Sequence, residues 1–257
     1  MTRPFRDLAE ASVGFGTWSQ VADPDLIDML GLAGFEFTII DTEHGMLGIE
    51  SVQGLVRACD ANGMVPLVRV PDNDRGWIGR CLDAGAAAVI VPGIDSLDGA
   101  RRAVAAARFA PHGNRGACPG VRAGAAHAGN WRGYTTQQHD EAGVILLIET
   151  PQAVAEIDAI VALPGLRAVL IGPFDLSVTM GHQGDFLHAE VTTAIERVVA
   201  AARVREMPVI LPVFSPDPAE GKRQVDAWCE RGVRLFTLGT DKILIAAQFK
   251  RYRDGLR

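Results

Sequence analysis

Eight short apolar runs punctuate the chain, and most are followed by a longer stretch in which apolar residues recur at helical spacing. The runs cover residues 12–18 (SVGFGTW), 35–41 (FEFTIID), 64–70 (MVPLVRV), 86–92 (AAAVIVP), 144–150 (VILLIET), 166–171 (LRAVLI), 208–213 (PVILPV) and 233–238 (VRLFTL). They are nearly continuous rather than alternating, which predicts parallel strands buried on both faces. Asp23-Pro24 opens one helix with a cap and a first-turn proline. Ser215-Pro216 opens the helix 216–230 in the same way. Gly34, Gly63, Gly85 and Gly232 stand where helices should end, each just ahead of the next strand. Eight strand–helix units in 257 residues fit a single (β/α)8 TIM barrel over 1–257 better than an open doubly wound sheet. One connection breaks the rhythm. Residues 109–134 hold no clear strand or long helix, and they carry Gly, Ala and Arg with His112, His127, Trp131 and Tyr134. A loop of that length is expected to be functional, either covering the barrel mouth or making a subunit contact.

Composition narrows the class. The chain is 48% hydrophobic and 22% charged with a net charge of -6, too apolar for disorder and too acidic for a broad nucleic-acid face. The N-terminal MTRPFRDLAEAS lacks an apolar signal core. No apolar run approaches the roughly 18 residues of a membrane span. The 4 cysteines form no CxxC pair and no zinc-ligand spacing, and Cys59, Cys81 and Cys229 read as small core residues. The expectation is a reduced, cytoplasmic protein without nucleic-acid or membrane partners. Lysines are scarce, with only Lys222, Lys242 and Lys250 among 25 basic residues.

In a barrel of this kind chemistry collects at the C-terminal ends of the strands. Trp18 ends the first run. Asp41 ends the second, with Glu43-His44-Gly45 beyond it. Arg69 lies in the third, Glu149 in the fifth, and Gly172-Pro173-Phe174-Asp175 follow the sixth. Gly239-Thr240-Asp241 end the eighth. Carboxylates with few histidines and no cysteine make a hard oxygen site, suited to Mg²⁺ or Mn²⁺, with Co²⁺ a third candidate, rather than to zinc. A 2-oxo acid is a natural chelating substrate, and the cation would polarise its ketone and stabilise an enolate. Arg69 could face that enolate oxygen, and His44 has the intrinsic pKa to move a proton. The rival route, a Schiff base on a barrel lysine, lacks its lysine, because only Lys242 falls near the rim. There is no P-loop and no GxSxG elbow, and Gly14-Phe15-Gly16 lacks a third glycine, Ser19 standing there. No organic cofactor is expected. His112, His139, His182 and His188 show no metal spacing with one another.

Phe35 to Gly48 (FEFTIIDTEHGMLG), PLVRVPD at 66–72, LDAGAAAVIVP at 82–92, IETP at 148–151 and IGPFDLSVTMG at 171–181 together resemble the HpcH/HpaI family of metal-dependent class II pyruvate aldolases. The resemblance implies reversible cleavage of a 4-hydroxy-2-oxo acid to pyruvate and an aldehyde. It implies Glu149 and Asp175 as metal ligands and Arg69 as the enolate partner. His44 would be the acid/base, acting through a metal-bound water. Asp83 would be its carboxylate partner across a subunit interface, with Asp41 an alternative from proximity. Trp18, Leu147, Gly172, Phe174 and Asp175 are substrate-contacting positions, the N–H groups around Phe174 and Asp175 holding the substrate carboxylate. A homohexamer is implied, built from dimers that exchange the last helix, here about 240–254. Two positions depart from the family pattern. Leu147 stands where many members carry Gln, and Phe174 where many carry a small residue. These bear on the acceptor aldehyde and leave the metal and enolate chemistry standing. The alternatives are an oxaloacetate decarboxylase, a citrate-lyase-type CoA-ester lyase, and a non-catalytic oxo-acid-binding barrel.

Overall fold

All eight runs form strands. In the computed structural model, which describes residues 2–10, 12–127, 129–215 and 217–257, they are β1 Gly14–Ser19, β2 Phe37–Asp41, β3 Val65–Arg69, β4 Ala88–Val91, β5 Val144–Ile148, β6 Leu166–Ile171, β7 Val209–Val213 and β8 Leu235–Thr240. They pair in parallel with their sequence neighbours and close on themselves, β8 against β1. The near-continuous apolar runs follow from this geometry, because successive side chains point to opposite faces and both faces are buried. Phe37, Ile39, Leu67, Ile145, Leu147, Leu170 and Ile210 fill the barrel interior. Ile40, Val68, Val89, Leu146, Ile148, Val169 and Leu211 point outward into the layer beneath the helices. Gly16 makes room for the interior packing, since a Cβ there would lie 2.4 Å from the Phe37 ring.

The helices before β5 are α1 Phe5–Ala9, α2 Pro24–Leu32, α3 Ile49–Ala61, α4 Arg75–Asp83, α5 Leu97–Ala107 and α6 Trp131–Glu141. Those after it are α7 Pro151–Ala155, α8 Ile157–Ile160, α9 Pro173–Thr179, α10 Ala189–Val204, α11 Pro218–Glu230 and α12 Asp241–Asp254. Asp23 caps α2 as expected, its side chain accepting from the Asp25 N–H. Gly34, Gly63, Gly85 and Gly232 all take positive φ, at 87°, 67°, 100° and 100°, the left-handed conformation that ends a helix cheaply only at glycine. The seventh-unit helix starts later than its sequence suggests. Asp217 is the cap and Pro218 the first-turn proline, while Pro216 lies outside the described residues. α1 plugs the N-terminal end of the barrel with Phe5 and Leu8. Among the described residues no helix is long and apolar enough to cross a membrane.

The 109–134 stretch is more ordered than its composition suggests. It contains a 3-10 helix at Arg122–His127 and the first turn of α6, whose cap Asn130 accepts from the Gly133 N–H. Arg122 reaches Asp60 and the Ala84 carbonyl, and Arg115 reaches Asp83. Those partners sit at or just before the C-terminal ends of α3 and α4, next to the turns that feed the barrel bottom. Arg115 and Arg122 thus tie the loop to the far ends of α3 and α4, while the Asn114 carbonyl accepts from Arg75 at the start of α4.

Candidate active site

β2 and β3 end in register, Asp41 opposite Arg69. The carboxylate takes both arms of the guanidinium, Nε to Oδ1 at 2.9 Å and Nη2 to Oδ2 at 2.8 Å. This fork-on-fork contact fixes the plane of Arg69, which a lysine could not reproduce. Gln20 Nε2 donates to Asp41 Oδ2 at 2.9 Å, and the N–H groups of Glu43 and His44 approach Oδ1 at 3.2 and 3.3 Å. Burial by itself would raise the Asp41 carboxyl, but the hydrogen bonds and charge of Arg69, with Gln20 and the His44 N–H, carry it below the ordinary aspartate value. Trp18 completes the cradle. Its ring lies under Arg69, Cζ 4.3 Å from the centroid, and its Nε1 donates to Thr237 Oγ1 at 3.1 Å.

The turn after β2 is built around that pair. Thr42 Oγ1 donates to the Arg69 carbonyl at 2.6 Å. At Gly45 a Cβ would stand 2.2 Å from the Asp41 carbonyl oxygen, so the turn needs glycine. It presents Glu43 inward and leaves His44 exposed on the rim. Glu43 Oε2 is 2.9 Å from Arg69 Nη1, a charge contact that leaves this buried oxygen without a well-formed hydrogen bond. Burial raises the Glu43 carboxyl, with Asp41 and Asp175 adding to the rise and Arg69 and His44 opposing it.

Glu149 follows β5, and Gly93, which follows β4, donates its N–H to Glu149 Oε1 at 2.7 Å. Gly172 clears the space beside it, since a Cβ there would lie 3.0 Å from Glu149 Cβ and 3.1 Å from Oε2. Asp175 sits in the first turn of α9, and Thr179 at the other end donates to the Glu149 carbonyl at 3.0 Å. The Glu149 carboxyl is pushed up to about 7, by burial first and by the charges of Asp175 and Glu43, against the Gly93 N–H and Arg69. Glu43, Glu149 and Asp175 thus form an acidic group whose neighbouring guanidinium already serves Asp41. This cluster of carboxylates, with Glu149 Oε2 beside a backbone gap at Gly172 in place of a side chain, fits a hard divalent cation. Such a cation would relieve the repulsion that raises Glu149.

The structure brings together Trp18, Asp41, Arg69, Glu149, Gly172 and Asp175, with His44 on the rim beside them. Asp41 touches His44 through the backbone N–H rather than the imidazole, because both its oxygens already serve Arg69 and Gln20. Asp83 is not brought to His44 within the chain. It ends α4, which runs back from the rim, and pairs with the buried Arg115 at 2.7 Å. Leu147 lies in the barrel interior beneath Gly172, where it closes the floor. Phe174 is half exposed in the first turn of α9. Lys222 and Lys250 pair with Asp226 and Asp254 on outer helices, and Lys242 opens α12, so no lysine enters the barrel. Glu43 and Gln20 were not assigned roles by sequence. Glu43 was visible as a rim carboxylate, whereas nothing in the pattern marked Gln20. His182 and His188, without metal spacing in sequence, stack at 3.7 Å with Glu190 beside them. Their rings are 19° from parallel, and one ligand atom of each of the three residues lies within 4.8 Å of the others.

The HpcH/HpaI aldolase/citrate lyase family model matches residues 14–246. The 2-dehydro-3,6-dideoxy-6-sulfogluconate aldolase of Pseudomonas putida is 31% identical over 94% of this chain and 91% of its own length. The 5-keto-4-deoxy-D-glucarate aldolase of Salmonella arizonae is 31% identical over 97% and 94%. The crystal structure of an HpcH/HpaI aldolase/citrate lyase family protein from Burkholderia cenocepacia J2315 superposes with a TM-score of 0.86 at 31% identity, covering 98% of both chains. The rim built by β2, β3, β5 and β6 thus sits in a chain matched nearly end to end by aldolases, and the protein belongs to the HpcH/HpaI aldolase/citrate lyase family.

Proposed function

We propose that this enzyme reversibly cleaves a 4-hydroxy-2-oxo acid to pyruvate and an aldehyde, with a divalent cation held by Glu149 and Asp175. The observation that carries the reading is the pairing of that acidic group with a guanidinium fixed in place by Asp41 and Trp18. A bound Mg²⁺, Mn²⁺ or Co²⁺ would supply a Lewis acid for the 2-oxo group. The N–H groups of Phe174 and Asp175, in the first turn of α9 where helical donors lack partners, take the substrate carboxylate. His44 accepts the proton of the 4-hydroxyl as the C3–C4 bond breaks. The electron pair of that bond passes into the pyruvate enolate, and the departing carbon leaves as the aldehyde. Arg69 holds a fixed positive charge toward the enolate oxygen, the place where negative charge develops. His44 then returns that proton through water to C3, which completes pyruvate and restores the neutral imidazole. His44 needs a carboxylate to fix its tautomer, and an Asp83 from a second copy of the chain is our choice. In that reading Arg115 orients the side chain outward.

α12 supports an assembly. Only Asp241 of that helix is buried, and Ile243, Phe249 and Tyr252 are 61%, 72% and 71% exposed, as expected of a helix exchanged within a homohexamer. We place the reaction in the cytoplasm. Buried thiols at Cys59 and Cys81, each pushed up to about 12 by burial, suit a reduced interior.

The test is turnover with and without cation. With Mg²⁺ or Mn²⁺ the protein should release pyruvate from oxaloacetate and join pyruvate to an aldehyde. EDTA should abolish both, and borohydride added with pyruvate should leave no adduct on Lys242. Full turnover in EDTA, or a reduced adduct on Lys242, would overturn the reading.

A further inference from the structure

One side of the rim is aromatic. Phe174, beside Asp175, is 53% exposed, and Phe214, the residue after β7, is 40% exposed. Phe186, half-buried in the connection between α9 and α10, packs against Phe214, the ring centroids 5.4 Å apart. The chain is shaped to hold Phe174 there. The connection turns through left-handed residues at Gly181, Gln183 and Gly184, with φ of 88°, 51° and 94°. At Gly184 a Cβ would lie 3.0 Å from Phe174 Cε2. The left-handed backbone favours glycine there, and a Cβ would press against the Phe174 ring. Val178, one helical turn after Phe174, is 49% exposed, and Leu187 is 70% exposed. These residues form an apolar wall along β6 and β7, continuous with the first turn of α9.

Charge on the same side is acidic or imidazole, from Asp185, His182, His188 and Glu190. After β7 and β8, Lys222 and Arg223 on α11 pair with Asp226 and Glu220, and Lys242 opens α12. Arg69 serves Asp41 and Glu43. Arg75, which opens α4, donates to the Asn114 carbonyl. Arg197, on α10, is paired with Asp158. An aldehyde bearing a carboxylate would gain no partner along this wall and would lose hydration there. An aromatic or aliphatic aldehyde would bury its chain against the rings.

We infer that Phe174, Phe186 and Phe214 form an acceptor subsite selecting apolar aldehydes over carboxylate-bearing ones. The inference rests on the aldol reading and names its second substrate class. A panel with pyruvate and cation tests it, comparing benzaldehyde and hexanal with succinate semialdehyde. The expected kcat/KM is at least 10-fold higher for the apolar pair. In Phe174→Ala and Phe214→Ala the KM for benzaldehyde should rise about 5- to 20-fold, while succinate semialdehyde changes less than 2-fold. Exchange of the pyruvate methyl protons into deuterated water, which needs no acceptor, should be unaltered in Phe214→Ala. A preference for succinate semialdehyde in the parent would overturn the inference and point toward Lys242, after β8. So would an unchanged benzaldehyde KM in both variants. Failure of proton exchange in the parent would instead refute the aldol reading itself, so the two failures are distinct.

Discussion

Glu149 carries a cost that the cation should remove, and Glu149→Gln exposes it. A carboxyl held at about 7 against an ordinary 4.5 binds its proton more tightly in the fold than in the unfolded chain, by ~3 kcal/mol. Part of the side chain meets water, so that figure is an upper bound, and ~2–3 kcal/mol is the working value. The sign follows from linkage. Below about pH 4.5 the group is protonated in both states and costs nothing. As pH rises toward about 7 the unfolded chain releases the proton first, so the metal-free fold loses stability across that window. Glutamine keeps an oxygen for the Gly93 N–H and carries no charge. In EDTA at pH 8 the variant should therefore melt above the parent, by about 4–10 °C for a chain of this size. At pH 5 the gap should shrink to within about 3 °C. Cation reverses the order. At 100 times its dissociation constant a ligand adds ~2.7 kcal/mol, which the parent should gain and the variant should not. Calorimetric melts at the two pH values, with EDTA and with Mn²⁺, decide it. Equal metal-free melting at pH 8, or a full Mn²⁺ shift in the variant, would refute the reasoning.

Other outcomes follow from the same geometry. Arg69→Lys keeps the charge and loses the fork to Asp41, so kcat for pyruvate formation should fall roughly 10²-fold or more, as initial rates would show. Gly172→Ala drives a Cβ to 3.0–3.1 Å from Glu149, and Mn²⁺ affinity by titration calorimetry should fall at least 10-fold with the fold intact by circular dichroism. His44→Ala should lower aldol kcat by roughly 10²–10⁴-fold and leave Mn²⁺ affinity unchanged. Its effect on oxaloacetate decarboxylation should be smaller, because that bond-breaking step removes no hydroxyl proton. Equal losses in both reactions together with weaker Mn²⁺ binding would make His44 a ligand or a structural residue.

The barrel was legible because burying both faces of a strand leaves a run of Val, Ile and Leu that few other arrangements require, and because helix-ending glycines mark the returns. Rim residues were legible for the complementary reason. Asp41, Arg69 and Glu149 stand out as charges at the ends of apolar strands. Their mutual assignment was not legible. Asp41 lies three residues from His44 in sequence, which suggested an imidazole partner, but register across two strands gives it to Arg69. Gln20 left no mark, since its contact with Asp41 spans β1 and β2. The order within 109–134 was not legible because its Gly-rich composition hides a 3-10 helix at Arg122–His127 and a capped helix at Asn130. Arg115 and Arg122 tie it to the far ends of α3 and α4, contacts that no local pattern marks. His182 and His188 met through left-handed turns at Gly181 and Gln183 that no periodicity reveals.

Pyruvate methyl-proton exchange in deuterated water, followed by proton NMR, tests the central claim most directly, because it isolates enolate formation from any acceptor. With Mn²⁺ or Mg²⁺ the metal-stripped parent should exchange all three methyl protons. With EDTA, or in Asp175→Ala with cation present, the signal should persist at the protein-free rate. Exchange that continues undiminished in EDTA, or in Asp175→Ala, would contradict an enolate formed at Glu149 and Asp175.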